Sequence, residues 1–202
     1  MPPFLSPNWP SWTFQPIGVV QSPYLDRIEA PHQAVVSHGT LAGTAVEGVI
    51  ALSPTLPEAC LRDLEGFERL WVVWVFHRSD GWRPTVIPPR GPRRRRGVLA
   101  TRSPHRPNAL GLTAVELVSV DAEARTLRVR GLDMLDGTPV LDVKPYVPYA
   151  DAFPGARAGW VDEVVSLQAG DALWAPGPKR PLRSTAHAQA PDPEGRLSKD
   201  SA

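Results

Sequence analysis

The chain has 202 residues and a mass of 22.0 kDa, which is enough for one domain of ordinary size with flexible ends. Hydrophobic residues make up 42% of the chain and charged residues 21%, which excludes a chain that is disordered throughout. The 24 prolines and 16 glycines argue against a helical bundle, and the net charge of +1 leaves only the distribution of charge informative.

The two ends of the chain differ in composition from its middle. Residues 1–14 contain four prolines and no charged side chain, so we predict an extended or disordered leader there. Residues 176–202 are polar and proline-rich and contain no aromatic residue, which predicts a disordered tail. The folded domain is therefore predicted over residues 15–175.

Strand patterns dominate this domain. In chain order, short runs rich in β-branched residues predict strands at residues 17–20, 45–52, 70–76, 97–101, 113–120, 126–130 and 140–143. Residues 70–76 are apolar throughout, which predicts a strand buried on both faces, and the run is too short to span a membrane. Residues 121–125 join two strands in a hairpin, with Leu127 and Val129 facing inward.

One short helix is predicted among the strands. It begins at Pro57, carries Leu61 and Leu64 on one side and ends at Gly66. The single cysteine, Cys60, lies in this segment and is predicted to be a buried structural thiol. A single cysteine also excludes an internal disulfide framework and a cysteine-based zinc site, so no metal is expected.

The overall pattern of elements predicts a mainly β fold. Many short strands, one or two short helices and long turn-rich links favour a small single β-barrel with antiparallel or mixed strands. The sequence does not alternate strand and helix, and it has no Gly-x-Gly-x-x-Gly motif. Both observations argue against a dinucleotide-binding Rossmann domain.

A polar segment at residues 100–112 lies between two of the predicted strands. It holds Arg102, His105, Arg106 and Asn108 among prolines that stiffen the loop and fix the directions of its donors. The plain alternative is a rigid loop whose side chains satisfy nearby carbonyls. We favour a functional site, because loops on a rigid scaffold often carry function.

A second polar segment covers residues 131–151. Within it Asp142 and Lys144 alternate with apolar residues, which places both charged side chains on the face opposite the apolar pair. A surface ion pair, which contributes little to stability, is the alternative. Because Tyr146 and Tyr149 follow directly, we favour a binding wall.

A basic cluster overlaps the first polar segment. Seven arginines, at positions 90, 93, 94, 95, 96, 102 and 106, lie within 17 residues that contain no acidic side chain. Such a cluster contacts phosphates and speeds encounter with RNA. The alternatives are a solvated basic loop and a loop that binds the domain's own acidic residues.

Several of these segments together resemble the TsaA-like family, whose best-known members are the TrmO-type tRNA methyltransferases. The segments that carry the resemblance are residues 16–24, 64–67, 70–72, 76–77, 82–84, 100–108 and 135–146. The two longest read ATRSPHRPN and LDGTPVLDVKPY. The resemblance covers residues 15–162.

The resemblance implies a small TsaA-like β-barrel that binds S-adenosylmethionine between the subunits of a homodimer. It implies a cytoplasmic enzyme that methylates the N6 nitrogen of threonylcarbamoyladenosine beside the anticodon of certain tRNAs. The donor-contacting positions that it implies are Pro31, His32, Gln33, His77, Arg78, Arg102, Leu112, Leu132, Asp133, Met134 and Leu135. Family members usually have arginine where this chain has His32, and longer members carry a second, C-terminal domain.

The residue types suit methyl transfer from a sulfonium, in which much of the catalysis comes from positioning donor and acceptor. We expect Arg102 to bind the donor's carboxylate, and backbone groups near Leu112 and at residues 132–135 to hold its adenine and ribose. Loss of a proton helps a urea-type nitrogen to react, so the candidates for a general base or an orienting group are Asp142, His105 and Tyr146. The expected RNA contacts are Arg93, Arg94, Arg95, Arg96, Arg106 and Lys144.

Two other classes of function fit the same residues. The barrel could bind S-adenosylmethionine, a nucleotide or RNA without catalysis. It could instead methylate a different RNA or a small molecule, because the family motifs mainly describe the donor site. The sequence does not name the acceptor.

Overall fold

The computed structural model describes residues 10–31, 46–89 and 92–162. The predictions for residues 1–9, for His32 and Gln33, and for the tail at residues 176–202 lie outside the described residues. The predicted domain end at residue 175 also lies beyond them and stays a prediction.

Strands account for most of the regular structure in the described ranges. They are β1 (Gly18–Gln21), β2 (Glu47–Leu52), β3 (Arg69–Val75), β4 (Thr85–Val86), β5 (Arg96–Gly97), β6 (Leu110–Asp121), β7 (Thr126–Arg130) and β8 (Pro139–Pro145). The helices of these ranges are one short α-helix, α1 (Pro148–Asp151), and the 3-10 helices Glu58–Leu61, Leu64–Gly66 and Val98–Ala100. Within the same ranges no helix has the length and apolar character needed to cross a membrane.

Six of the strands close into a barrel in the order β1-β2-β7-β6-β3-β8. Every neighbouring pair in the barrel is antiparallel. The short strands β4 and β5 lie between β3 and β6 in the sequence and pair with each other outside the barrel. We call residues 85–89 and 92–97 the arm, and the paired strands are its base. The predicted small single β-barrel is confirmed, and its strands are antiparallel.

Alternate residues of the barrel strands point into the interior. In β3, Leu70, Val72 and Trp74 are buried, while the residues between them are only partly covered. The prediction that this run is buried on both faces is wrong, because a strand of a small closed barrel turns one face to the core and the other outward. Trp71 and Val73 therefore lie on the outer wall of the barrel.

The predicted hairpin is confirmed as strands β6 and β7. Leu127 and Val129 point inward and have no exposed surface. In the turn, Arg125 adopts a left-handed backbone conformation with φ of 54°, and its Nε donates a 2.8 Å hydrogen bond to the carbonyl of Leu56. This bond joins the hairpin to the segment that follows β2.

The prediction of a strand at residues 97–101 is wrong. Only Arg96 and Gly97 pair in a strand, and Val98–Ala100 then form a 3-10 helix. The hydroxyl of Thr101 donates a 2.8 Å hydrogen bond to the carbonyl of Val98, and its backbone N–H donates to the same oxygen at 3.1 Å. Such local bonding competes with strand pairing, which explains the turn.

The predicted helix at residues 57–66 is present as two 3-10 helices. They are separated by Asp63, whose φ of 65° breaks the helical path. Leu61 and Leu64 pack on the core as expected. Cys60 is exposed, so the prediction of a buried thiol is wrong. Only Leu61 is buried in its short 3-10 helix, and the residue before it points away from the core.

Candidate functional site

The outer wall formed by β8, β3 and β6 carries several of the predicted polar residues. The antiparallel register places outward-facing residues of the three strands in two rows, which are Asp142 with Val73 and Leu112, and Lys144 with Trp71 and Ala114. Leu112 is 55% exposed on this wall. An exposed surface that mixes apolar and charged side chains in this way is suited to binding.

A groove of about 330 Å³ lies on this wall. It is lined by Arg69, Trp71, Arg102, Leu112, Thr113, Ala114 and Tyr146. Three predicted site residues from separate segments, Arg102, Leu112 and Tyr146, thus lie together. The sequence reasoning missed Arg69 and Trp71, although the two-residue period of a barrel strand would have placed both on the outer face.

An aromatic corner forms one end of the groove. The rings of Trp71 and Tyr146 lie with their centroids 5.4 Å apart and their planes inclined at 53°. The backbone N–H of Tyr146 donates a 2.9 Å hydrogen bond to the carbonyl of Arg69. The tilted ring contact and this bond hold the corner in a defined geometry.

The loop at residues 101–109 presents Arg102 to the groove. Its turn is stabilised by a 3.3 Å hydrogen bond from the backbone N–H of Ser103 to the hydroxyl of Thr101. The guanidinium of Arg106 donates a 3.1 Å hydrogen bond to the carbonyl of Thr101, so this predicted RNA contact bonds within its own loop. Arg102 itself is exposed.

His105 lies on another side of the same loop and does not line the groove. Its Nδ1 is 3.3 Å from the hydroxyl of Ser79, and its carbonyl accepts a 3.2 Å hydrogen bond from the backbone N–H of Arg83. These contacts join the loop to the segment after β3. The structure therefore separates His105 from Asp142 and Tyr146, which share the outer wall.

Asp142 and Lys144 form the ion pair that was the alternative reading. Oδ2 of Asp142 is 2.7 Å from Nζ of Lys144, and the side chains are 45% and 65% exposed. Oδ1 of Asp142 also accepts a 2.9 Å hydrogen bond from the backbone N–H of Val143. Neither residue lines the groove, but the strand register places both on the same outer wall.

The barrel mouth is the end at which residues 22–25, after β1, meet residues 132–136, after β7. The hydroxyl of Ser22 donates a 2.8 Å hydrogen bond to the carbonyl of Met134, and its N–H donates to Oδ1 of Asp136 at 3.0 Å. The side chains of Leu132 and Met134 are buried in the core. Leu132 is 1% exposed and Met134 is 0% exposed, and the carbonyl of Met134 already accepts the bond from Ser22. The predicted donor contacts of these two residues stay a prediction.

Asp133 is the charged residue of the segment 132–135, and its carboxylate bonds to a buried residue of β6. Its Oδ1 accepts a 2.8 Å hydrogen bond from the hydroxyl of Thr113, which in turn accepts one of 3.0 Å from Nε1 of Trp74. Burial, and next the negative charge of Asp133, raise the pKa of the Tyr24 hydroxyl. The carboxylate of Asp133 therefore lies close enough to the Tyr24 hydroxyl for its charge to act on it.

His77 and Arg78 follow β3 and are exposed. A guanidinium N–H of Arg78 donates a 2.8 Å hydrogen bond to the carbonyl of Leu25. This bond joins the predicted donor pair to the segment that leads to Pro31, which is half-buried. The bond ends at Leu25, six residues before Pro31, and His32 and Gln33 lie outside the described residues.

The four consecutive arginines at residues 93–96 differ in their exposure and in their side-chain contacts. Arg93 and Arg94 are exposed. A guanidinium N–H of Arg95 donates a 3.3 Å hydrogen bond to the hydroxyl of Thr85. Arg96 is half-buried, and its guanidinium carbon lies 5.3 Å from the centre of the Trp160 ring. Arg95 is exposed as well, so its hydrogen bond to Thr85, and not burial, distinguishes it from Arg93 and Arg94.

The sequence model of the tRNA-methyltransferase O N-terminal domain matches residues 19–152. The chain belongs to this family. The match covers the barrel, the arm, the groove and the barrel mouth, and it ends before Trp160. The resemblance predicted from the sequence is confirmed.

Relatives and solved structures agree with this family. The chain is 39% identical over 163 residues to a tRNA (adenine(37)-N6)-methyltransferase of Escherichia coli, a match that covers 78% of this chain and 67% of that protein. It is 36% identical over 152 residues to a probable S-adenosyl-L-methionine-binding protein of Pyrococcus abyssi, covering 75% and 77% respectively. The crystal structure of TrmO from Pseudomonas aeruginosa superposes with a TM-score of 0.61 at 35% identity. That match covers 75% of this chain but only 63% of the solved chain, which has further residues without a counterpart in the match.

Proposed function

We propose that the protein is an S-adenosylmethionine-dependent methyltransferase that acts on the N6 nitrogen of threonylcarbamoyladenosine next to the tRNA anticodon. The observation that carries this proposal is the groove, where Arg102, Leu112 and Tyr146 come together inside the region matched by the family. The Escherichia coli relative, named as a tRNA (adenine(37)-N6)-methyltransferase, supports the reaction and the substrate.

The chemistry of the described side chains fits the donor. Its carboxylate would pair with the guanidinium of Arg102, which is exposed at the groove. The apolar surface of Leu112 suits the uncharged part of the ligand. The negative charge of Asp133 at the barrel mouth suits either the hydroxyl groups of the ribose or a cationic centre. When bound, S-adenosylmethionine supplies an electrophilic methyl group.

We propose that the protein is a homodimer, and the positions of the predicted donor residues support this. Leu112 points outward from β6, whereas the next residue, Thr113, is buried and bonds to Asp133 from inside. Arg102 and Leu112 are therefore on the outer wall, on the opposite face of β6 from Asp133. We propose that the outer wall of one subunit completes the barrel mouth of its partner, so that both sets of residues contact one donor.

Exposed apolar side chains around the outer wall support this dimer. Leu110 is 42% exposed on the same face of β6 as the 55% exposed Leu112. Such a surface is costly to leave in water, and its burial against a second copy would stabilise association.

Positioning is the main catalytic contribution that these residues offer. Arg102 would hold the donor while the aromatic corner of Trp71 and Tyr146 restricts the acceptor. Asp142 and Tyr146 lie on the same wall, so either could accept or orient the proton of the N6 nitrogen. His105 bonds to Ser79 away from the groove, and we assign it to holding the loop.

We assign the grip on tRNA to Arg93 and Arg94 of the arm, because both are exposed. Arg106 donates within its own loop, Lys144 pairs with Asp142, and Arg96 lies against Trp160. These three contribute less to phosphate binding, since their charges are already engaged. We propose the cytoplasm as the location of the enzyme, because a tRNA substrate would be available there.

The deciding experiment is mass spectrometry of tRNA nucleosides from cells with and without the gene, repeated with purified protein, S-adenosylmethionine and tRNA from the deleted strain. We expect the N6-methylated form of threonylcarbamoyladenosine to disappear on deletion and to return with wild-type protein. An Arg102→Ala protein should restore it poorly. Donor binding without methyl transfer to any RNA would instead favour a non-catalytic barrel, and a different methylated product would identify another acceptor.

A further inference from the structure

Trp160 makes two contacts with the segment that leads to Arg102. Its indole Nε1–H donates a 2.8 Å hydrogen bond to the carbonyl of Ala100. Its ring lies against the guanidinium of Arg96, with the guanidinium carbon 5.3 Å from the ring centre, which is a cation–π geometry. The side chain of Trp160 therefore contacts two residues, Arg96 and Ala100, that are four positions apart in the sequence.

The position of Trp160 is itself well defined. Gly159 has φ of 62°, a left-handed conformation that a side chain would disfavour. A carboxylate oxygen of Asp162 accepts a 2.8 Å hydrogen bond from the backbone N–H of Ala158. The tight turn across these residues directs the indole toward the segment at residues 96–100.

That segment connects the arm to the groove. Arg96 belongs to β5 at the base of the arm, and the 3-10 helix Val98–Ala100 follows directly. Arg102 comes two residues after the carbonyl that Trp160 binds. A shift of the Ala100 peptide would therefore move the backbone of Arg102 and change the direction of its guanidinium.

We propose that Trp160 is a positioning residue that holds residues 96–102 in place and thereby aims Arg102 at the donor. The proposal rests on the proposed function for the role of Arg102. Trp160 lies beyond the matched region at residues 19–152, so this contact is a feature that the family match does not include. Because the same indole also contacts Arg96, it fixes the base of the arm relative to the groove.

Three variants separate the contributions of the indole. Trp160→Phe keeps a ring against Arg96 but removes the donor to Ala100, and Trp160→Ala removes both contacts. Trp12→Phe is the matched control, because Trp12 is 78% exposed and distant in sequence from the groove segments. We expect Trp160→Phe to weaken S-adenosylmethionine binding about two- to tenfold, as is typical for loss of one hydrogen bond. Trp160→Ala should weaken it further, and Trp12→Phe should match the wild type.

A double-mutant cycle with Arg102→Ala tests whether Trp160 acts through Arg102. If it does, Trp160→Phe has little further effect on donor affinity once Arg102 is gone. Equal and additive losses in the two backgrounds would overturn the proposal, as would a Trp160→Phe protein with wild-type affinity. Thermal unfolding of all variants shows whether the fold remains intact. A variant that unfolds at the wild-type temperature but binds the donor more weakly would not be expected from a purely structural role.

Hydrogen–deuterium exchange keeps the test independent of the proposed reaction. The backbone N–H of Thr101 donates to the carbonyl of Val98, and its exchange reports how well the 3-10 turn is held. We expect faster exchange across residues 98–103 in Trp160→Phe than in the wild type or in Trp12→Phe. Unchanged exchange would overturn the positioning role. A wild-type protein that fails to bind S-adenosylmethionine would refute the proposed function alone, since the exchange result would still decide the local contact.

Discussion

The hydroxyl of Thr113 donates a 2.8 Å hydrogen bond to Oδ1 of Asp133 and so joins β6 to the barrel mouth. Thr113 is 4% exposed, and the same hydroxyl accepts a 3.0 Å bond from Nε1 of Trp74. One small side chain therefore satisfies a buried indole and orients a carboxylate at the predicted donor segment. The three side chains of Trp74, Thr113 and Asp133 thus form one connected series of hydrogen bonds, with Thr113 in the middle.

Thr113→Val should be destabilising although it preserves the shape of the side chain. Without the hydroxyl, Nε1 of Trp74 loses its acceptor, and we expect the free energy of unfolding to fall by about 1–3 kcal/mol. Urea denaturation measures this change. Thr113→Ser, which keeps the hydroxyl, is the control and should lose less. A Thr113→Val protein as stable as the wild type would show that the bond chain contributes nothing.

Arg102→Ala should weaken S-adenosylmethionine binding by about 1.5–3 kcal/mol, the range for a hydrogen bond to a charged group. Calorimetry of purified protein measures the affinity. Arg102→Lys keeps the charge but loses the bidentate fork, so we expect an intermediate loss. If alanine and wild type bind the donor equally, the assignment of Arg102 to its carboxylate is wrong.

Neutralising the exposed end of the arm should weaken binding of tRNA. An Arg93→Gln and Arg94→Gln double variant removes two exposed charges, and the slope of log affinity against log salt should fall by about one for each lost phosphate contact. Donor affinity should stay at the wild-type value. The matched variant is Arg95→Gln, whose side chain bonds to Thr85 and should change the slope less. Parallel salt dependences would place the grip on tRNA elsewhere.

Leu112→Asp should dissociate the proposed homodimer. A carboxylate at the centre of an apolar contact would have to lose its hydration on association, which is strongly unfavourable. Light scattering should then give a particle of 22.0 kDa for the variant and twice that mass for the wild type. Val118→Asp, on the same strand but 37% exposed beyond the groove, is the control. A wild-type monomer with full activity would contradict the shared site.

Arg128 and Arg130, which could have offered a further basic surface, are engaged in ion pairs. Arg130 lies 2.7 Å from one carboxylate oxygen of Glu47 and 2.6 Å from Glu116, and Arg128 lies 2.9 Å from the other oxygen of Glu47. The hydrogen bond from Arg130, followed by that from Arg128, lowers the pKa of Glu47. The charges of Arg128 and Arg130 are thus paired within the barrel wall, so we do not assign these arginines to RNA binding.

The lowered pKa of Glu47 predicts a pH-dependent contribution to stability. A group with a folded pKa below its unfolded value stabilises the fold above the unfolded pKa and loses that effect as pH falls through the folded pKa. Glu47→Gln should therefore lower the midpoint of thermal unfolding at neutral pH, and the difference from wild type should shrink as the pH falls below the ordinary range of a glutamate pKa. A difference that stays constant from neutral to acidic pH would show that the ion pairs of Glu47 contribute nothing to this pH dependence.

The barrel and much of the site could be predicted because they depend on patterns along the chain. Alternation gave the inward direction of Leu127 and Val129, and the long polar segments gave Arg102 and Tyr146. Residues 97–101 were mispredicted because the hydroxyl of Thr101 bonds to Val98, a choice that strand propensity does not encode. Local preference and the final structure agree where packing is regular and differ where one side chain bonds to its own backbone.

The roles of the arginines could not be predicted, because their partners lie far away in sequence. Arg94 and Arg96 are the same residue type in the same run, yet it is Arg96 that packs against the ring of Trp160. Arg106 looks like an RNA contact until its bond to Thr101 is seen. Which charge remains available to a substrate depends on the fold, and the count of arginines sets only the upper limit.

The seam at which the barrel closes has a consequence for the order of folding. Strands β1 and β8 meet over two residue pairs, whereas β3 and β6 pair over seven positions. Because β1 and β8 are distant in sequence, the chain must pay the largest loop-closure entropy to form this short ladder, which favours its late formation. The groove needs only β3, β6, β8 and the adjoining loop, but the barrel mouth needs both sides of the seam. A partly folded chain would therefore hold Arg102 and Leu112 at the groove without the donor residues of the barrel mouth. We expect full affinity for the donor only when β1 joins β8.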